Sequence, residues 1–333
     1  MMNSQNSQNA EAPKQPPAFR PYKVRVARTE RLSSSFQRIV FQGDDLQYIG
    51  TDGYDQRIKI LLPLPGSKWS DPQLFDEESL AKGLWWEQWR ALAVQDRNPI
   101  RTYTIRQADP VQRRLSIDFV LHDNSGPAGL FAQQAVVGDE VVIVGPDRRS
   151  DNSAIGIDFH PGRASTLLLV GDETAVPAIG GILEGLANSG WSGSGLALLE
   201  VPEQDDINIP LVKPQDFAID WVSRSSPESA SPIVHGDSLI RRVEDYAAAH
   251  STMFSNDGEN NLASNTHAFT DINVDKELLW EVPEQPQHDG FYAWMAGEAA
   301  TMRTLRKILV RDYGVNRKRV AFMGYWRAGK AEM

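Results

Sequence analysis

Leu167-Leu168-Leu169-Val170-Gly171-Asp172-Glu173-Thr174-Ala175-Val176-Pro177-Ala178-Ile179 reads as a buried strand that stops at a glycine and turns directly into a helix. The aliphatic run from Thr166 to Val170 has the density of a strand covered on both faces. The helix pattern holds from about Ala175 to Ala187, and Pro177 falls in its first turn, where a missing N–H does no harm. Downstream the same alternation continues. Strands are expected at Gly195 to Val201, Phe217 to Ser223, Phe291 to Ala296 and Arg319 to Tyr325, with helices at about Asp237 to Ala249 and Glu298 to Tyr313. Strands alternating with helices predict a doubly wound parallel sheet over residues 161–333. Residues 251–288, rich in Ser, Asn, Asp and Glu, read as a long surface loop with a short ordered piece around Leu278 to Trp280.

Upstream the texture differs. Six short apolar stretches, Tyr22 to Thr29, Gln37 to Phe41, Arg57 to Leu62, Ile100 to Gln107, Leu115 to His122 and Glu140 to Val144, are separated by turn residues. They predict an antiparallel barrel or sandwich over residues 20–158. Residues 67–99 interrupt it with Trp69, Trp85, Trp86 and Trp89 among helix formers, and read as a helical insertion. Residues 1–19, rich in Asn, Gln, Ser and Pro, read as a disordered tail without a secretory signal.

Composition narrows the chemistry. The 333 residues suffice for two domains, and no apolar run nears the roughly 18 residues that span a bilayer. A soluble cytoplasmic protein is the expectation. With no cysteine there are no disulfides, thiolate metal sites, iron–sulfur clusters or cysteine nucleophiles, so redox chemistry would need an organic cofactor. The six histidines show no i, i+4 pair, and no metal site is readable. A net charge of −10 argues against general affinity for nucleic acid or anionic membranes. The exception lies at the C-terminal end, where Arg303 to Lys330 holds nine basic residues against the single acid Asp312.

Arg101-Thr102-Tyr103-Thr104-Ile105-Arg106 alternates a cation and a flat ring on one strand face, which suits a pyrophosphate and an isoalloxazine. An ordinary alternating strand fits the hexamer equally well. The next strand and turn, Asp118-Phe119-Val120-Leu121-His122 and Gly126-Pro127-Ala128-Gly129-Leu130-Phe131-Ala132, place a Gly-Pro at the start of a short helix, whose free amides and dipole suit a phosphate. Taken in this order, the motifs resemble the FAD-binding half of siderophore-interacting proteins, and the resemblance implies an antiparallel Greek-key barrel for residues 20–158. The second half continues the resemblance through Gly171-Asp172-Glu173-Thr174-Ala175-Val176-Pro177-Ala178-Ile179, in place of a Gly-x-Gly-x-x-Gly fingerprint, and through Gly324-Tyr325-Trp326-Arg327-Ala328-Gly329-Lys330.

The resemblance implies that Arg101, Tyr103 and Thr104 contact the flavin and its phosphates. It also implies that Asp118, Val120 and His122 belong to the flavin-edge strand, and that Gly126, Pro127, Ala128 and Gly129 lie near the pyrophosphate. Two departures from the family pattern are Gly129 and Phe131, where Ser and Trp are usual; the backbone amide remains. Thr174 is implied at the flavin–nicotinamide junction, Glu298 beside the nicotinamide, and Tyr325 and Trp326 near the flavin. As a bare signal, Glu298 is equally a helix-dipole partner. Lys59, Arg148, Arg149, Arg327 and Lys330 are implied as a cationic rim for an anionic ferric siderophore, although each of Lys59, Arg148 and Arg149 could be an ordinary surface charge.

The implied activity is that of an FAD-dependent ferric-siderophore reductase, with NADPH or NADH as donor, no catalytic acid or base, and a monomer as the working unit. Same-architecture alternatives are an NAD(P)H–flavin reductase and a ferredoxin or flavodoxin reductase; reduced ferredoxin could also replace the nicotinamide as donor. A non-catalytic siderophore-binding flavoprotein is a further alternative. The donor stays open because Glu200 could bond a ribose hydroxyl while Arg224 could pair with a 2′-phosphate.

Overall fold

A computed structural model describes residues 16–64, 66, 77–122, 126–225, 233–255, 279–283 and 289–329. Most of the expected tail, residues 67–76 of the insertion, most of the 251–288 segment and Lys330 lie outside the described residues.

The first sheet contains β1 (Phe19–Arg31), β2 (Phe36–Gln42), β3 (Arg57–Leu61), β4 (Ile100–Thr104), β5 (Gln107–Asp109), β6 (Arg114–Val120) and β7 (Glu140–Pro146). They pair antiparallel in the order β4-β3-β7-β1-β2-β6-β5. The single strand expected over residues 100–107 is two. Ile105 N donates to Gln56 O on one edge and Arg106 N to Ser116 O on the other, so the chain changes partners there and draws the two edges of the sheet together. The result is a half-barrel around Tyr22, Ile39, Phe41, Ile58, Leu115, Phe119 and their neighbours. The insertion contributes α1 (Glu77–Lys82) and α2 (Trp85–Ala91), and α3 (Pro127–Gln134) follows β6. Trp85 roots α2 in a small core with Leu61, Ile100, Val142 and Val144.

The second sheet is formed by β8 (Ala164–Gly171), β9 (Ser194–Val201), β10 (Phe217–Ser223), β11 (Trp280–Glu281), β12 (Gly290–Glu298) and β13 (Val320–Trp326), in the order β10-β9-β8-β12-β13-β11. Five strands are parallel as expected, but β11 pairs antiparallel with β13, so the sheet is mixed. The helices are α4 (Val176–Asn188), α5 (Asp237–Ala249), α6 (Ser251–Ser255) and α7 (Ala299–Arg306), the last continuing as a π-helical turn over Lys307–Asp312. The aliphatic run in β8 explains the double winding. Leu167 and Leu169 pack with α4 on one face, while Leu168 and Val170 pack with α5 and α7 on the other.

The two halves share a core. Phe36 and Val120 of the half-barrel pack into the cluster built on α4. A Cβ on Gly181 would lie 2.2 Å from Tyr54 O, and one on Gly185 would lie 2.8 Å from the Tyr54 ring, so α4 rests directly on the barrel loop. Nearby, the buried Asp55 accepts from Asp158 N, Phe159 N and Trp294 Nε1. Burial, and then the neighbouring Asp158 charge, push the Asp55 carboxyl up to about 7. Ser33 Oγ and Ser35 N donate to Asp206 Oδ1, and Arg106 reaches Glu184 of α4 at 2.5 Å. Gly181→Ala would gain helix propensity but drive a methyl into a backbone carbonyl. Thermal and denaturant unfolding should show a net loss of about 1–3 kcal/mol, and an unchanged midpoint would mean that the seam yields without cost.

Candidate functional site

In the second sheet the chain passes from β8 to β9 and β10 on one side, and returns to β12 and β13 on the other. The carboxyl ends of β8 and β12 therefore bound the crevice at a topological switch point, where open α/β sheets bind ligands. Asp172, fully buried, occupies it. Its Oδ1 accepts from Thr174 N at 2.9 Å and Thr174 Oγ1 at 2.6 Å. Its Oδ2 accepts from Glu298 N at 2.8 Å and Trp326 Nε1 at 2.9 Å. One carboxylate thus fixes three residues singled out in the sequence, Thr174, Glu298 and Trp326. Gly297, at φ +152°, makes the approach possible, since a Cβ there would lie 2.6 Å from Asp172 Oδ2.

Glu298 is fully engaged. Its Oε2 accepts from Ala300 N and Thr301 N at the start of α7, and its Oε1 accepts from Ala328 N at 3.3 Å. It caps the helix and tethers the segment after β13 in one stroke. Tyr325 and Trp326 face opposite sides of β13. Trp326 meets the His235 ring edge-on, whereas Tyr325 packs on Trp280 and Trp294 with its hydroxyl buried and without a hydrogen-bond partner.

Beside Asp172 lies an ion network. Arg224 donates to both oxygens of Glu173, at 2.8 and 2.9 Å, and stands 3.3 Å from Glu200 Oε1. Glu200, fully buried, also accepts from Gly236 N. Arg224 is thus committed chiefly to Glu173, while Glu200 is engaged through Oε1 only and its Oε2 is buried with no hydrogen-bond partner among the described residues. His235 Nε2 lies 3.4 Å from Asp172 Oδ2 and 3.7 Å from Glu173 Oε2. Burial alone would lower the imidazole's pKa, but the two carboxylates outweigh it and raise the value to about 10. For Glu173 burial acts upward, and His235 and Arg224 outweigh it, holding the carboxyl at about 2. No sequence pattern marks His235, because a segment distant in the chain delivers it.

The half-barrel meets this crevice at the end of β6, where His122 Nε2 is 4.0 Å from Glu173 Oε1. Tyr103 is half-buried, its ring centroid 4.5 Å from that of Phe119, and Phe131 of α3 joins the same cluster. Thr104 is buried. Arg101 donates to Ile100 O, and no carboxylate among the described residues pairs with it. At the start of α3 no side chain among the described residues caps the helix, and a Cβ on Gly126 would meet none of their atoms within 4 Å. An uncommitted guanidinium and uncapped amides beside open space form a donor set that fits a pyrophosphate.

Asp118 is engaged by two arginines. Strand alternation turns it away from Tyr103 toward the seam, where Arg38 holds it through two bonds at 2.6 and 2.8 Å and Arg106 lies 3.9 Å away. The Arg38 bonds tie β6 to β2 within the half-barrel, and Arg106, which also bonds Glu184 of α4, links this pair to the second domain.

The expected cationic rim is divided. Lys59 reaches Thr102 Oγ1 at 3.4 Å. Arg148 is exposed and Arg327 half-buried. Arg149 is committed elsewhere: it grips both oxygens of Asp147 and lies 3.8 Å from the centre of the Tyr48 ring.

The His235 network has a pH signature. Its pKa rises from 6.5 to about 10 on folding, so its stabilisation is complete below pH 6.5 and is lost as the pH climbs through about 10. Unfolding free energies of the wild type and His235→Gln should differ most near pH 6 and converge toward pH 10; a constant gap across that range would refute the imidazolium assignment.

Known proteins share this arrangement. Residues 25–150 match the siderophore-interacting FAD-binding domain, and residues 164–329 match the siderophore-interacting protein domain. The ferric vibriobactin reductase ViuB of Vibrio cholerae is 25% identical over 306 residues, covering 92% of this chain and 89% of that protein. The NADPH-dependent ferric-chelate reductase of Escherichia coli is 30% identical over 198 residues, covering 60% of this chain and 69% of that protein. The crystal structure of the siderophore-interacting protein SipS from Aeromonas hydrophila superposes with a TM-score of 0.61 at 25% identity, covering 95% of this chain and 94% of the other. With both halves matched in order, and with a half-barrel and a switch-point crevice meeting at one seam, the chain belongs to the siderophore-interacting protein family, whose first half is an FAD-binding domain.

Proposed function

We propose that this protein is an FAD-dependent reductase of ferric siderophores that takes electrons from NAD(P)H and releases Fe(II). The observation that carries the reading is the meeting of two sites, since the flavin-fitting end of β6 lies against the switch-point crevice, with His122 and Glu173 4.0 Å apart. The names of the Vibrio and Escherichia relatives support the reaction class.

When bound, FAD supplies the conversion of a two-electron hydride donor into single-electron transfers. The chain's own residues bind and orient. Arg101 and the amides from Gly126 to Gly129 hold the phosphates, with Pro127 and Ala128 shaping the turn. Tyr103 offers a flat ring to the flavin, and Thr104, Val120 and His122 line its edge. Thr174 and Glu298, held by Asp172, flank the nicotinamide, while Tyr325 and Trp326 close the crevice from β13. Lys59, Arg148, Arg327 and Lys330 draw an anionic chelate to the open side. The two electrons of one hydride reduce two ferric ions and leave one proton. Hard oxygen donors hold Fe(III) better than Fe(II), so reduction loosens the metal.

The reading places the reaction in the cytoplasm, where nicotinamide donors are available; among the described residues no helix is long and apolar enough to cross a membrane. Anaerobic addition of NADH or NADPH should bleach the flavin bands, and a ferric siderophore should restore them. Bleaching without recovery would point to another acceptor, and a protein that cannot be loaded with FAD would overturn the reading. Arg101→Ala removes a charged donor worth about 1.5–3 kcal/mol, so the Kd for FAD should rise roughly 10- to 100-fold. Unchanged flavin retention would remove Arg101 from the phosphate site.

A further inference from the structure

The helical insertion places aromatic surface beside a cation that has no anionic partner among the described residues. Trp86 of α2 remains 37% exposed although Trp85, its neighbour, is buried in the barrel-side core. Its ring is stacked on Trp89, with centroids 5.2 Å apart and planes at 13°, and Trp85 meets it edge-on at 5.4 Å. Trp89 is itself fixed, since its Nε1 donates to Asn98 O and the Arg97 guanidinium lies 5.3 Å from its ring centre. Trp86 is thus a rigid, partly exposed indole on an ordered base.

The Lys59 ammonium lies 5.9 Å from the centre of the Trp86 ring, at the outer reach of a cation–π contact, and 3.4 Å from Thr102 Oγ1. Burial, and secondarily the charge of Arg57, lower its pKa, and no carboxylate among the described residues pairs with it. Arg97 is bonded, among the described residues, to the backbone carbonyls Leu92 O and Arg90 O. Thr104 follows Thr102 on the same face of β4, about 7 Å along the strand, while Arg101 and Tyr103 alternate to the other face, so the indole and the ammonium flank the strand assigned to the flavin on its Thr102–Thr104 side. A partly desolvated cation without an anion next to an exposed aromatic ring matches a ligand that carries negative oxygens on an aromatic ring. Catecholate and phenolate arms have that chemistry. Their ferric complexes are anionic and ring-bearing, whereas hydroxamate arms give neutral complexes with aliphatic surfaces.

We propose that Trp86, supported by Trp89 and paired with Lys59, is a specificity-determining contact that selects aromatic, catecholate-type ferric chelates over hydroxamates. The inference rests on the reductase reading for its choice of substrate, and its test is separable because Ga(III) chelates bind without accepting electrons. The FAD-loaded full chain is titrated calorimetrically with Ga(III) held by a hexadentate tris-catecholate, and separately by a hexadentate trihydroxamate. The wild type, Trp86→Phe and Trp86→Leu are compared, each with its flavin content and melting temperature recorded. Trp86→Leu should weaken the catecholate complex about tenfold and leave the hydroxamate within twofold, while Trp86→Phe retains most of the affinity, as expected for the loss of one aromatic contact. Equal losses for both chelates, equal behaviour of Phe and Leu, or no binding of the tris-catecholate by the wild type would each overturn the inference. Discrimination among Ga(III) chelates without electron transfer to Fe(III) would sustain this contact and sink the reductase reading; reduction of both ferric chelates without any dependence on Trp86 would do the reverse.

Discussion

The carboxylate of Asp172 is buried at the point where the second sheet reverses its strand order, and four donors from three segments converge on it: the amide and hydroxyl of Thr174, the amide of Glu298 and the indole of Trp326. A charge buried in a protein interior is tolerable only when its lone pairs are taken up in this way. The ends of β8, β12 and β13 are therefore locked to one another. Gly297 is the steric condition for that lock, because any side chain there would occupy the space of the carboxylate.

Charge balance around the lock sets its electrostatics. Glu173, Glu200 and Asp172 would repel one another if Arg224 and His235 did not stand among them. The arrangement places an imidazolium at the mouth of a crevice assigned to a hydride donor, in an otherwise acidic protein. Of the two residues that pointed in opposite directions on donor choice, Arg224 is held mainly by Glu173 and only secondarily by Glu200.

The seam joins this lock to the flavin half. Gly181 and Gly185 let α4 lie on Tyr54, Phe36 and Val120 enter the second domain's core, and Asp118 is pinned by Arg38 with Arg106 close by. Two domains that share a core in this way hold the end of β6 and the switch-point crevice against each other, as the proposed electron transfer would require.

The strand-to-helix turn at Gly171, the doubly wound order of the second domain, the antiparallel character of the first and the helix that opens at Gly126-Pro127 were all legible in the sequence, because they follow from local periodicity and from Gly and Pro at set places. The motifs also located Thr174, Glu298 and Trp326, but as separate points on the chain. That a single carboxylate binds all three, that His235 and Arg224 join it, that Asp118 turns to the seam and that Tyr325 turns away from Trp326 were decided by tertiary structure alone. The antiparallel β11 and the division of the 100–107 strand belong to the same class. Periodicity reports which face of an element is apolar; it carries no information on which distant segment supplies the counter-charge or the pairing edge, since those contacts close over tens to hundreds of residues and are selected by packing and by the cost of leaving a buried charge unmatched.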